Sequence, residues 1–222
     1  MAYGNTPPIS HREQKKAKTR GALIEVSQRL FAEQGYAATT LEEICVEVDI
    51  RPQTLLRYFE SKAHLANAPI TDPLNELRRY VEDPARTMST LAVWREYMKL
   101  EANEVMAPSS AALTHHVHNM REFRKWVDKD PVLVAMQSDI ERRLREWLAT
   151  SIAKDEGAGP HDLHSTLLAG LLVVGRTAVY EKWLSRRRNL GALLDDQMAM
   201  IDYAVKSLPR RSAEKRLASM AD

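Results

Sequence analysis

Apolar residues recur at intervals of three and four along most of the chain, and this spacing places them on one face of a helix. One segment follows the spacing through Leu133, Met136, Ile140, Leu144 and Leu148. Pro, Gly or Asp stands at or near the ends of most such segments, where these residues begin and end helices. Glycine is scarce, with eight residues, and runs of β-branched residues are nearly absent. The sequence therefore predicts an all-α fold without a convincing strand.

The same punctuation predicts nine helices. They are expected at about 12–34, 40–48, 52–59, 61–81, 84–105, 112–127, 130–148, 161–187 and 190–208. We expect the fourth helix to be interrupted at Pro69 and to restart at Asp72-Pro73, because proline lacks the N–H that a helix interior needs.

The two ends of the chain carry an excess of positive charge, although the formal net charge of the whole chain is only +2. The basic residues of these ends are Arg12, Lys15, Lys16, Lys18 and Arg20 near the start and Lys206, Arg210, Arg211, Lys215 and Arg216 in the tail. Basic segments of this kind suit phosphate contacts, and they equally suit solvated, flexible termini.

The single cysteine, Cys45, excludes an intrachain disulfide and a zinc site built on a cysteine cluster. The first residues contain no apolar signal-peptide core. The longest apolar run, residues 166–175, is too short to span a bilayer and is followed by Arg176. We therefore expect a soluble, cytoplasmic protein.

Residues 40–59 have the pattern of a short helix, a tight turn and a second short helix. Residues 40–43 (Thr-Leu-Glu-Glu) form a capping box that begins the first, Asp49 tolerates the left-handed backbone of a turn, and Pro52 suits the first turn of the second. In a helix-turn-helix the second helix places its first residues at base edges in the major groove. The candidates here are Arg51, Gln53, Thr54 and Arg57. The same pattern also fits an ordinary three-helix core with a polar surface.

Two sequence blocks favour the DNA-binding interpretation. They are Phe31…Gly35-Tyr36…Thr39-Thr40 and Tyr58-Phe59-x-Ser61-Lys62. With these blocks, the roughly 47 residues from 19 to 65 resemble the DNA-binding domain of the TetR (tetracycline repressor) family, and no gap is needed. The resemblance implies that Thr40 contacts phosphate and that Thr54, Arg57, Tyr58 and Lys62 touch bases or the DNA backbone. Lys62 would meet phosphate from a helix N-terminus.

The chain departs from the family pattern in the helix-turn-helix. Asp49 stands where the family usually has Gly, and Arg51 replaces the Ser that caps the recognition helix, which weakens that cap. Leu56 replaces a Tyr that bonds phosphate in many members, so one phosphate contact is in doubt. Cys45 replaces a usual Ala, and we interpret it as a small core residue.

The resemblance implies a DNA-binding domain over residues 12–66 and a larger helical ligand-binding and dimerisation domain over 67–208. Residues 1–11 contain Gly4, Pro7 and Pro8 and are expected to be disordered, and 209–222 form a basic tail. The implied function is that of a non-enzymatic repressor that leaves a palindromic operator on binding a small apolar or amphipathic effector. No cofactor is expected.

Large apolar and aromatic side chains between residues 94 and 183 are numerous enough to enclose a mostly apolar cavity, or simply to fill a core. The candidate effector-contacting residues are Trp94, Met98, Glu101, Phe123, Met136, Arg176 and Tyr180. Glu101 and Arg176 lie on apolar stripes, where charges are rare unless they are paired or used. They suggest either a structural ion pair or an Arg176 that binds an anionic ligand group.

The histidines support a weaker alternative, an all-helical metal- or ligand-binding protein or enzyme without DNA affinity. His115, His116 and His118 lie close together, and His161 and His164 are three residues apart. A metal site needs three or four converging ligands, and no nearby Cys or acid completes a set here. We therefore predict no metal site.

The last two helices predict a homodimer. The final helix carries Leu190, Leu194, Met198, Ile201, Val205 and Leu208 on one stripe. The preceding helix is apolar around most of its circumference and must bury more than one face. Two such helices from each subunit would form a four-helix contact with two-fold symmetry, and this symmetry predicts a palindromic operator.

Overall fold

The computed structural model describes residues 10–106, 125–126, 129–186 and 190–208. Its helices are α1 His11–Gln34, α2 Leu41–Val48, α3 Pro52–Leu56, α4 Lys62–Glu82, α5 Thr90–Met106, α6 Pro131–Asp155, α7 Leu163–Arg186 and α8 Leu190–Ser207. No strand occurs in these residues, and the predicted all-α fold is confirmed. The helix predicted at 112–127 lies almost wholly outside the described residues, as do the basic tail and residues 1–9.

Side chains at both ends of α1 and at the start of α2 define these helices. Ser10 caps α1 through a capping box with Glu13, so the helix begins before the predicted residue 12. Gly35 ends α1 at φ 91°, where a side chain would be strained, and its N–H donates to the Phe31 carbonyl at 3.0 Å. Thr40 and Glu43 form the predicted capping box of α2.

The predicted interruption of α4 is wrong. The helix runs from Lys62 to Glu82 with Pro69 and Pro73 inside it. Each proline removes one donor from the helix ladder, but both lie on its exposed face. The opposite face is buried from Leu65 to Val81, and this packing keeps the helix continuous across the two lost bonds.

The first of two compact units contains residues 10–86, 125–126 and 129–140. Its core joins α1 to α4 through fully buried side chains that include Leu23, Phe31, Leu55 and Phe59. Residues from much later in the chain complete it. Leu133 of α6 is fully buried in this core, and Trp126 packs edge to face on Phe31 with ring centroids 5.7 Å apart.

The second unit contains residues 87–106, 141–186 and 190–208. Within it α8 packs against both α5 and α7. Arg95 of α5 pairs with Asp202 of α8 at 2.5 Å, and Lys182 of α7 pairs with Asp196 of α8 at 3.1 Å. Trp94 is fully buried in this unit.

The buried stripe of α8 differs from the predicted one. It consists of Leu193, Gln197, Ile201 and Ala204. Of the predicted stripe, Ile201 is buried within its own subunit, whereas Val205 is exposed. The sequence predicts that the most apolar stripe of α8 faces a partner subunit. Ile201 of that stripe instead lies on the side that packs on α5 and α7, and this side also contains the polar residue Gln197.

Candidate nucleic-acid interface and ligand-binding unit

The turn between α2 and α3 has the geometry that the sequence predicts. Asp49 adopts a left-handed backbone (φ 54°, ψ 52°), and the next N–H, that of Ile50, donates to the Cys45 carbonyl at 3.0 Å. Arg51 precedes α3 in an extended conformation, and its side chain makes no capping hydrogen bond to the described residues. Pro52 occupies the first turn of the helix, where a missing N–H costs little.

One side of α3 is anchored and the other is open. Leu55 and Phe59 are fully buried in the core of the first unit. Arg51, Gln53 and Arg57 are exposed. The spacing of the two anchors therefore fixes the orientation of the helix and presents three side chains that can hydrogen-bond to base edges.

Thr54 and Tyr58 are partly buried next to this open side, and Leu56 is exposed. Thr40 lies at the start of α2, where its hydroxyl accepts from the Glu43 N–H at 3.2 Å and donates to the Glu43 carboxylate at 3.0 Å. Hydrogen bonds from the Thr40 N–H and hydroxyl lower the pKa of Glu43. Thr40 is thus exposed, but its hydroxyl is engaged in the cap.

Lys62 has an internal role that the sequence did not predict. Its ammonium group donates to the carbonyls of Tyr36 (2.8 Å) and Thr39 (2.9 Å) and lies 4.3 Å from the centre of the Tyr36 ring. Burial lowers the pKa of Lys62. Two of its three N–H groups therefore hold the α1–α2 turn, which leaves one for a phosphate.

We expect Lys62→Met to lower the free energy of unfolding by about 1–2 kcal/mol, because two backbone carbonyls lose a charged donor. Urea unfolding followed by circular dichroism measures the change. Lys16→Met is the matched control, since Lys16 is exposed on α1. Equal effects of the two substitutions would contradict the internal role of Lys62.

Arg20 is also engaged inside the first unit, although the sequence placed it in a basic arm. Its guanidinium donates to both carboxylate oxygens of Asp72 on α4, at 2.6 and 3.0 Å. It lies 4.2 Å from the centre of the Phe59 ring and donates to the Tyr58 carbonyl at 3.5 Å. Arg20 therefore connects α1, α4 and the residues that follow α3.

The other basic residues near the start have exposed side chains on the first half of α1. They are Arg12, Lys15, Lys16 and Lys18.

The second unit holds part of the predicted effector-contacting set. Trp94 and Met98 are buried on α5, with the Trp94 and Tyr97 rings 5.9 Å apart. On α7, Arg176 lies 5.4 Å from the centre of the buried Tyr180 ring.

Sequence comparison gives the family of the chain. Residues 23–68 match the family model for bacterial regulatory proteins of the tetR family, and residues 113–205 match the model of the MftR C-terminal domain. The transcriptional regulator TcmR of Streptomyces glaucescens is 30% identical over 190 residues, which cover 82% of this chain and 80% of TcmR. The chain belongs to the TetR family of transcriptional regulators. UidR, a regulator from Escherichia coli K12, is 25% identical over 70% of this chain and 76% of its own length.

Solved structures of TetR-type proteins have the same fold. SmeT of Stenotrophomonas maltophilia, in complex with triclosan, superposes with a TM-score of 0.60 at 18% identity, over 88% of this chain and 93% of SmeT. Thermus thermophilus FadR, in complex with lauroyl-CoA, gives a TM-score of 0.57 at 17% identity, over 87% and 97% of the two chains.

Met136, another predicted effector contact of this TetR-family chain, is not in the same unit as Trp94, Met98, Arg176 and Tyr180. Met136 belongs to the first unit, where its sulfur is 3.4 Å from the side-chain nitrogen of the buried Asn67. The first ten residues of α6 belong to the unit that contains α1 to α4. The apolar spacing of α6 continues without a break, so the sequence does not indicate that this helix contributes to two cores. Phe123 and the side chain of Glu101 lie outside the described residues, so the predicted Glu101–Arg176 pair stays a prediction.

The alternative of an enzyme or metal-binding protein gains no support. The relatives named above are transcriptional regulators. In the described part of the chain, no three His, Cys, Asp or Glu side chains are grouped to hold a metal ion. His164 instead lies 3.9 Å from the Glu156 carboxylate, and His115, His116 and His118 are outside the described residues.

Proposed function

We propose that this TetR-family regulator is a cytoplasmic repressor that leaves a palindromic operator when a small apolar or amphipathic effector binds. The observation that carries the DNA side of the proposal is the recognition helix α3. Leu55 in this helix and Phe59 just after it are fully buried, so that the exposed Arg51, Gln53 and Arg57 are held at one orientation.

The side chains around α3 divide into two roles. Gln53 suits adenine and Arg57 suits guanine, because each can form two hydrogen bonds to that base in the major groove. Thr40, Thr54, Tyr58 and the third N–H of Lys62 would bind the DNA backbone. The basic residues on the first half of α1 would add contacts that carry no sequence information.

Two features support an effector in the second unit. Its core holds the buried aromatic and apolar residues Trp94, Met98 and Tyr180, with the Arg176 guanidinium near the Tyr180 ring. SmeT and FadR, which share the fold, have been solved with triclosan and with lauroyl-CoA. We therefore propose these four residues as effector contacts, with Glu101 and Phe123 as further candidates.

An exposed apolar stripe on α7 supports a homodimer. Leu163, Leu167, Leu171 and Val174 recur at helical spacing and are 69, 47, 39 and 56% exposed. On α8, exposed Tyr203 lies on the same side as Met200, which faces α7, and it extends the apolar surface. We propose that α7 and α8 bury these residues against a second copy of the chain, which gives the two-fold symmetry of a palindromic operator.

The same helix is long and apolar enough to be compared with a membrane span. Residues Leu163–Ser185 meet the length and composition of one, with a mean hydropathy of 1.3. However, the opposite side of α7 is buried in the core of the unit through Leu168, Leu172 and Trp183. A core helix of a soluble protein meets the same criteria, and a second copy of the chain accounts for the exposed leucines.

Arg57→Ala tests the proposed function. We expect its Kd for the cognate operator to rise about tenfold to a hundredfold, because one base contact contributes about 1–3 kcal/mol. The measurement is a gel shift on the DNA upstream of the protein's own gene. Arg79→Ala is the control, since Arg79 is an exposed arginine of α4 that pairs only loosely with Glu76, at 3.8 Å. Wild-type protein that binds no DNA there, or equal effects of the two variants, would argue against the proposal.

A further inference from the structure

The second unit buries polar side-chain groups that have no hydrogen-bond partner among the described residues. Gln197 is 2% exposed, and both its amide oxygen and its amide nitrogen lack a partner. The indole N–H of fully buried Trp94 also lacks one. The other such atoms are the hydroxyl of Thr90 and the indole N–H of Trp147, and they too lie in the second unit.

The first unit is different. Its buried Asn67 donates to the Ala63 carbonyl at 2.9 Å and accepts from the Gln137 amide at 2.6 Å. Folded proteins leave few buried polar groups unpaired, and each such group calls for an explanation. All of the unpaired buried groups among the described residues therefore lie in the second unit. Gln197 differs from the others because both polar atoms of its side chain are unpaired.

The position of Gln197 on α8 directs it toward the interior of the unit. Asp196 and Met200 face α7, where they contact Lys182 and Gly175, and Asp202 faces α5 through Arg95. Successive helical residues are rotated by about 100°, so Gln197 lies on the buried side between these two contacts.

Residues of α5 and α7 that we propose as effector contacts lie at about the same height along the unit as Gln197. Asp196 pairs with Lys182, and Met200 lies against Gly175. Gln197 lies between Asp196 and Met200 on α8, so it is level with the part of α7 between Gly175 and Lys182, which includes Tyr180. On the α5 side, Trp94 is adjacent to Arg95, whose partner Asp202 is five residues from Gln197. Five residues are about 7.5 Å along a helix, so one small molecule can reach both Gln197 and Trp94.

We propose that the Gln197 amide, with the Trp94 indole N–H as a second donor, hydrogen-bonds the polar group of the effector. This inference rests on the proposed function and names the chemical class of the ligand. A primary amide presents one acceptor and one donor side by side. Its complement is a neutral group that also presents a donor beside an acceptor, as a primary amide or a lactam does.

A carboxylate does not meet this requirement. It only accepts hydrogen bonds, so it would leave the Gln197 oxygen without a donor. The unpaired groups are all neutral, and the Arg176 guanidinium already lies against the Tyr180 ring, so a neutral ligand is favoured. The effector is therefore an apolar molecule with an amide-like group, held among the aromatic residues of α5 and α7.

The first test compares Gln197→Met with Gln137→Met in the full-length protein without ligand. Met removes the amide and keeps a similar volume. If Gln197 is unpaired, its removal should raise the melting temperature by about 2–4 °C. Gln137→Met should lower it, since Gln137 donates to the buried Asn67. A lower melting temperature for Gln197→Met would overturn the proposal, because the amide would then be satisfied by ordered water or by the protein.

The second test uses three probes with one apolar body: 2-naphthamide, 2-acetonaphthone and 2-naphthoate. By calorimetric titration, the wild type should bind the amide about tenfold more tightly than the ketone or the carboxylate, and Gln197→Met should lose this preference. Equal affinities, or binding of none of the three, would overturn the assignment of the ligand class. Absence of DNA binding in the wild type would instead count against the proposed function.

Discussion

Leu171→Glu combined with Val174→Glu should convert the protein into a monomer and lower its affinity for a palindromic operator by about a hundredfold or more. Both residues lie on the exposed apolar stripe of α7. In a two-fold contact each change places a carboxylate on both sides of the interface, where it must lose its hydration. A monomer still carries an intact recognition helix, but it binds one half-site at a time and loses the effective concentration that the partner provides.

Light scattering at micromolar concentration measures the mass, and a gel shift measures the affinity. The control is Val132→Glu combined with Val134→Glu, which makes the same change at two exposed valines in the first turn of α6. This control should remain dimeric and bind DNA. A Leu171/Val174 variant that is still a dimer would show that the stripe is not the interface. Ile201→Glu is a poor test, since Ile201 is 1% exposed and a charge there would unfold the subunit.

The helices themselves are predictable from the sequence because their spacing and caps are local. The capping box of Thr40 and Glu43 and the left-handed Asp49 both appear in the structure as predicted. Local rules failed where packing overrides them. A proline costs α4 one hydrogen bond, and the buried face from Leu65 to Val81 compensates for it. In α8 the buried side includes Gln197, and apolar periodicity does not predict that a glutamine is buried.

The candidate site divides in the same way. Exposure of Arg57 followed from the positions of Leu55 and Phe59, which are four residues apart and share one face of a turn. The contacts of Lys62 were not predictable, because its carbonyl partners lie 23 and 26 residues away. The sequence alone does not distinguish a basic residue that is exposed in an arm from one that contacts the core. The distinction depends on the partners that the fold brings to each side chain.

Arg20 provides the second large effect. We expect Arg20→Ala to lower the free energy of unfolding by about 2–3 kcal/mol, because it removes a two-bond contact to Asp72 and the cation–π contact with Phe59. Operator affinity should fall by about tenfold as well, since Phe59 and the Tyr58 carbonyl follow directly after the recognition helix. Chemical denaturation and a gel shift measure the two effects.

Arg20→Lys separates this role from a phosphate contact. Lysine keeps the charge but lacks the planar group that donates two parallel hydrogen bonds and stacks on a ring. If Arg20 acts through Asp72 and Phe59, Arg20→Lys should lose most of the stability that Arg20→Ala loses. Neither variant should change the dependence of operator affinity on salt. Lys16→Ala, at an exposed position of α1, should reduce that slope by about one if Lys16 binds phosphate. A reduced slope for Arg20→Ala, restored by lysine, would return Arg20 to the basic arm that the sequence suggested.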